Sequence, residues 1–269
     1  MMRSLWTAAS GMVAQQTNLD TISNNLSNIN TTGYKTETVN FKSLIYQTLQ
    51  QKSYDSKGEP KPVSAQVGLG VRPAAIVSSF TQGALLESSG DFDYAIQGEG
   101  FFMVRLNDGT TGYTRNGSFT VAVSGDGLAL ADSNGNPVLD VDGNPITFPE
   151  GTDSSKLSVD QFGNFMYPDA TGNPQMMNIQ IGLANFPNPA GLERTSDTIM
   201  KQSEASGEVT VYAANQLNSK IVSGYLEGSN VQAVDEMVNM IIAQRAYEMN
   251  SKAITASDEM LQQANNLRS

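Results

Sequence analysis

The chain has 269 residues, 24 of them glycine, no cysteine, no histidine and a formal net charge of −11. The missing residue types exclude disulfides, thiol nucleophiles, histidine general bases and most transition-metal sites. The negative balance excludes a grip on nucleic-acid phosphates or anionic membrane surfaces, while the length permits a sizeable core.

Met1-Met2-Arg3 leads into no sustained apolar run, so no cleaved secretory leader is expected. No run of 18 apolar residues occurs anywhere, which predicts no membrane-spanning helix. Met2, Leu5, Ala9 and Met12 instead recur at spacings of 3, 4 and 3, and Leu19, Ile22, Leu26 and Ile29 repeat the rhythm after polar Gln15-Gln16. This heptad-type stripe predicts an amphipathic helix of roughly 40 Å within an N-terminal helical region, 1–45. Asn18, Asn24, Asn25 and Asn28 make the other face amide-rich, and Gly33 stands where a helix C-terminus favours glycine.

From about Gln50 the composition turns to Lys, Ser, Pro, Gly and Gln, so residues 46–70 read as an extended linker. Residues 71–225 carry short apolar stretches such as Tyr94-Ala95-Ile96, Phe101-Phe102-Met103-Val104 and Phe119-Thr120-Val121. Among and after them fall Asp108-Gly109, Asn116-Gly117, Asp126-Gly127, Asn134-Gly135 and Asp142-Gly143, dipeptides that tolerate the positive φ of hairpin turns. Strands joined by turns, with no helical period between them, predict an antiparallel β domain.

The last region, 226–269, is helical again. Val231, Val234, Val238 and Ile241 begin a stripe that shifts by one residue and resumes through Ile242, Ala246, Met249, Ala253, Ala256, Met260, Ala264 and Leu267. Ser229 or Asn230 is the expected cap, with Asp235 and Glu236 favoured by the helix dipole in an early turn. The fold class is therefore α+β: long N- and C-terminal helices forming a coiled-coil-like tube domain, and a central antiparallel all-β domain.

Candidate chemistry is thin. Asp91 and Asp93, and Asp140 and Asp142, are spaced like paired carboxylates but read better as exposed turns. Asp132-Ser133-Asn134-Gly135-Asn136-Pro137 opens like a calcium loop, yet Pro137 and Gly143 stand where glycine and a bidentate glutamate are needed. Gly98-Glu99-Gly100 lacks the third glycine of a dinucleotide fingerprint. No catalytic residue, metal ligand, cofactor, small-molecule substrate or nucleic-acid partner is expected, and the chain reads as a non-enzyme. The candidate functional residues are those of the two stripes, read as a subunit interface: Leu5, Met12, Leu19, Ile22, Leu26, Ile29, Val234, Val238, Ile241, Met249, Met260 and Leu267. Two bonding surfaces at opposite ends of a chain make heterologous contacts, which generate a helical filament where they do not close.

Several segments resemble the bacterial flagellar rod and hook family, and within it the distal-rod branch. The most specific is Asn24-Asn25-Leu26-Ser27-Asn28-Ile29-Asn30-Thr31-Thr32-Gly33-Tyr34-Lys35, preceded by Ser4-Leu5-Trp6. Gln97-Gly98-Glu99-Gly100-Phe101-Phe102 and Tyr113-Thr114-Arg115-Asn116-Gly117 match in the centre. Glu227-Gly228-Ser229-Asn230 and Gln244-Arg245-Ala246-Tyr247-Glu248-Met249-Asn250 match near the C-terminus. The resemblance implies a structural subunit of the flagellar basal body, exported through the flagellar type III apparatus without a cleaved signal and located in the periplasmic cell envelope. Its implied partners are other copies of itself, adjacent proximal-rod and hook subunits and the basal-body ring proteins. It further implies that the terminal helices line an inner tube and that the rod carries motor torque to the hook. A proximal-rod member of the family, or a secreted β-rich carbohydrate-active protein, are the alternative readings. Before assembly the end helices are expected to be largely disordered, so that proteolysis of monomer trims the chain to a core near 71–225.

Overall fold

The computed structural model describes residues 2–50, 65–124, 127–149, 152–153, 156–169, 173–196, 198–214 and 219–266. Two compact units divide the chain, and both are discontinuous. One comprises Met1–Ser27, Glu37–Val77 and Gln232–Ser269; the other comprises Asn28–Thr36 and Ser78–Val231. The architecture is α+β, with a long helix near each end and a β-rich centre.

In the helical unit, α1 spans Met2–Ser27 and α2 spans Ala233–Asn266 without interruption. The first helix ends earlier than its apolar rhythm suggests, because Asn28 diverts the backbone: its carbonyl accepts from the Thr31 amide and its side chain from the Thr31 hydroxyl. Gly33 does adopt a left-handed φ of +71°, but in the segment beyond the helix rather than at its cap. The expected caps of α2 also move. Ser229 accepts from the Val231 amide and Asn230 is engaged elsewhere, so the first helical hydrogen bond, from Glu236 N–H, ends on the Gln232 carbonyl. Neither helix is long and apolar enough to cross a membrane.

The rest of this unit is strand. Glu37–Ser43, inside the stretch read as helical, pairs with Val71–Ser78, and Tyr46–Gln50 pairs antiparallel with Ala65–Gly68. The segment read as an extended linker thus contributes two hydrogen-bonded arms; residues 51–64 fall outside the described ones.

The β unit is antiparallel throughout its recorded pairings. Its largest sheet runs Glu193–Ser196, Ile199–Lys201, Thr111–Thr114, Phe101–Arg105, Leu183–Asn185, Thr210–Tyr212. Phe101–Arg105 is central, and its apolar run is buried on both faces. Phe102 and Val104 join one core with Tyr94, Leu130, Phe165 and Ile221, while Phe101 and Met103 join a second with Tyr113, Phe186 and Met200. Edge-on aromatic pairs such as Phe102 with Phe119, centroids 5.2 Å apart, lock the first core. Asp108-Gly109 turns a true hairpin between Phe101–Arg105 and Thr111–Thr114. Asn116-Gly117 does not: the flanking strands belong to different sheets, and the Asn116 side chain accepts from Thr32 Oγ1 and the Ser118 amide. Asp126 lies outside the described residues.

Candidate functional site

The two helices pack antiparallel, as three contacts show. Ser4 Oγ meets Ser257 Oγ at 3.4 Å, Asn25 Nδ2 donates to Glu236 Oε2 at 3.3 Å, and between them Gly11 faces Asn250. Partner numbers on α2 fall as those on α1 rise. The contact is close because the residues are small: a Cβ built on Gly11 would stand 2.8 Å from Asn250 Nδ2. Glu236, Met240, Ala243, Asn250, Ile254, Ser257 and Leu261 form the inward face of α2, at spacings of 3, 4 or 7. This face mixes small or polar residues with Met240, Ile254 and Leu261.

The apolar stripe of α2 therefore points away from α1. Val234 is 73 % exposed, Ile241 57 % and Met249 65 %, and Val238, Ile242 and Met260 are exposed as well, against 1 % for Ala243. Leu267 lies outside the described residues. The α1 stripe behaves differently: Ile22 is buried, and Leu5, Met12, Leu19, Leu26 and Ile29 are half-buried. Trp6 and Val13 stand exposed on another side of α1. One helix thus spends its stripe partly inside the unit, and the other leaves its stripe open to water.

The motif residues fall into two polar clamps. In the helical unit, buried Asn25 accepts from Glu37 N–H at 2.9 Å and donates to Glu37 O at 2.8 Å, besides its bond to Glu236. Asn24 reaches the Glu37 carboxylate at 3.4 Å. In the β unit, Lys35 is buried and donates to Glu227 Oε1 at 2.6 Å and to the Thr81 carbonyl at 2.8 Å. Arg115 donates to Glu227 Oε2 at 3.1 Å and to the Gly98 carbonyl at 2.8 Å. Tyr34 lies under the Arg194 guanidinium, 4.9 Å from ring centroid to Cζ, and Arg194 also donates to the Lys35 carbonyl. Gly33 is required by space as well as φ, since a Cβ there would sit 2.5 Å from Asn116 N. Burial pulls the Lys35 ammonium and the Arg115 guanidinium below their usual pKa values, and Glu227 opposes that pull in both.

Gln244, Arg245 and Tyr247 take no part in either clamp. All three are exposed, and Arg245 pairs only with Glu248 one turn away at 2.9 Å. Asn250 packs against Gly11. Reading the sequence gave Glu227 and Arg115 no role beyond their place in the family motifs, and gave Asn230 and Glu236 only a capping and a dipole role. The signal for one was present: a glutamate in the apolar strand Tyr225–Glu227 demands a buried cation. Asp91 and Asp142 are exposed in turns as expected, but Asp93 is buried in a bridge to Ser118 and Asp140 is half-buried. Asp93 accepts from Ser88 Oγ, Asp140 caps the Val141 amide, and Asp132 accepts from the Asn134 and Asn136 amides. Among the described residues no group of three or more His, Cys, Asp or Glu side chains could hold a metal ion.

Three family models match the chain: a flagella basal body rod protein model over residues 5–35, a flagellar hook protein FlgE/F/G D1 domain over 95–167, and a flagellar basal body rod FlgEFG protein C-terminal model over 222–267. The flagellar basal-body rod protein FlgG of Borreliella burgdorferi is 42 % identical over 275 residues, covering 100 % of this chain and 99 % of its own. FlgG of Buchnera aphidicola subsp. Baizongia pistaciae is 39 % identical, covering 97 % and 98 %, and FlgG of Agrobacterium fabrum is 38 % identical, covering 96 % and 97 %. The models fall on the helix ends, the clamps and the central sheet, and the relatives span nearly the whole length. The chain belongs to the flagellar basal-body rod protein family, in its FlgG branch.

Proposed function

We propose that this chain is a structural subunit that polymerises helically into the distal rod of the flagellar basal body. The observation that carries the reading is the open apolar stripe of α2 through Val234, Val238, Ile241 and Met249. Among the described residues nothing covers it, because α1 packs on the opposite face of α2, that of Ala243, Asn250 and Ser257. Further copies of the same chain supply that cover, and α1 and α2, from the regions 1–45 and 226–269, build a coiled-coil-like tube with their neighbours. Heterologous contacts of this kind propagate along a helix and do not close on themselves.

A rod that carries torque from motor to hook needs many axial and lateral contacts per subunit, and two long helices provide them. The partners are then other copies, adjacent proximal-rod and hook subunits, ring proteins around the shaft and the type III apparatus that exports the chain to the periplasm. No catalysis is called for; the function is mechanical.

A charge set in the stripe tests this. Ile241→Asp or Leu26→Asp is expected to stop incorporation into rods while the β unit keeps its native near-ultraviolet signal. Normal rods built from either variant contradict the proposal. Electron microscopy of purified hook–basal bodies carrying a label on this chain is expected to place it in the distal rod, and label in the proximal rod would reassign it within the family.

A further inference from the structure

We propose that Glu227, Lys35 and Arg115 form a strap that closes the β unit, so that its whole fold depends on the two segments leading to the helices being in place. Lys35 lies shortly after α1 in sequence and Glu227 shortly before α2, 192 residues apart. They meet inside the β unit with their side chains 1 % and 0 % exposed.

Glu227 is the keystone. Its Oε1 accepts from Lys35 Nζ and from the Gly83 amide at 2.9 Å, and its Oε2 accepts from Arg115. Two cations thus share one carboxylate, and the Arg115 Nε–H has no hydrogen-bond partner among the described residues. Removing the carboxylate leaves two buried like charges facing each other, each short of a partner; removing Lys35 still leaves a complete Glu227–Arg115 pair. Breaking a buried ion pair is strongly destabilising, because the charge left behind is desolvated and unpaired.

The backbone around the strap is woven to match. Gly33 N–H donates to the Glu227 carbonyl at 2.7 Å, and Ser79 N–H to the Thr36 carbonyl at 2.8 Å. Asn230 spans the remaining gap: its carbonyl oxygen accepts from Thr36 N–H at 2.7 Å and its amide donates to the Ser79 carbonyl at 2.9 Å. Residues 28–36 and 225–231 are therefore parts of the β unit, with Gly33, Tyr34, Lys35, Glu227 and Gly228 buried in it. A core limited to 71–225 would lack Lys35 and Glu227 together. Because the pair is so distant in sequence, closure comes late and only after the intervening sheets have brought the ends together.

The test is hydrogen exchange on the full chain, comparing wild type with Glu227→Gln, Lys35→Met and the double variant, read by peptide. In Glu227→Gln the protection of Phe101–Arg105, in the central strand, is expected to fall on the order of a hundredfold or more. Lys35→Met should lose less, and the double variant no more than Glu227→Gln alone, because the three groups act as one. If Glu227→Gln yields no soluble protein, Lys35→Met is read the same way. Loss confined to 28–36, 81–83 and 225–231, with Phe101–Arg105 protected as in wild type, would overturn the proposal and leave only a local tether.

Discussion

The two units of this chain spend their apolar residues in opposite ways. The β unit buries both faces of its central strand, so Phe101, Phe102, Met103 and Val104 all lie inside. The helical unit buries Ala8, Ala243 and Ser257, sets Gly11 against Asn250, and leaves Val234, Ile241, Ile242 and Met249 in water. Burial contributes about 25 cal/mol per Å² of apolar surface, so the β unit draws its stability from its own core and the helical unit forgoes much of what it could draw. The β unit closes its apolar surface within itself; the helical unit leaves part of its own open.

Substitutions can break this contrast from either side. The largest effect on stability belongs to the β core: Phe102→Ala is expected to cost about 3–5 kcal/mol, measured by urea unfolding followed through tyrosine near-ultraviolet dichroism. The chain's one tryptophan, Trp6, lies on α1, so its fluorescence reports the helical unit separately and should not follow that transition. Asn25→Ala comes next. It strips Glu37 N–H and Glu236 of a buried partner and should lower the helical unit's stability by about 1–3 kcal/mol, read at Trp6. Gly11→Leu separates α1 from α2 at their closest approach. An overpacking loss of about 1–3 kcal/mol, set against a helix-propensity gain of about 0.8–1 kcal/mol, leaves a net loss of about 0–2 kcal/mol in the same assay. Asp153→Ala removes an ion pair with Lys156 that is exposed on both sides and should change neither transition measurably.

Much of the architecture was legible because it rests on period. Heptad spacing announced both helices, and turn dipeptides such as Asp108-Gly109 announced the antiparallel sheets. What stayed hidden depends on pairing across distance. The α2 face that meets α1 sets Ala243, Asn250 and Ser257 among Met240, Ile254 and Leu261, a broken apolar pattern, so the eye goes to the more continuous apolar stripe on the other side. Lys35 and Glu227 stood in plain view within the family motifs, but nothing in a single sequence joins residues so far apart. Strand Glu37–Ser43 was missed for a related reason: Glu37-Thr38-Val39-Asn40-Phe41 alternates for too few residues to outweigh the helical pattern before it.

The absence of cysteine makes the central claim directly measurable, since a single thiol reports its own surroundings. With Ile241→Cys, the thiol is expected to react with a maleimide at the rate of an exposed side chain in monomer and to be protected in assembled rods. A thiol that labels equally fast in monomer and in rods would contradict the account.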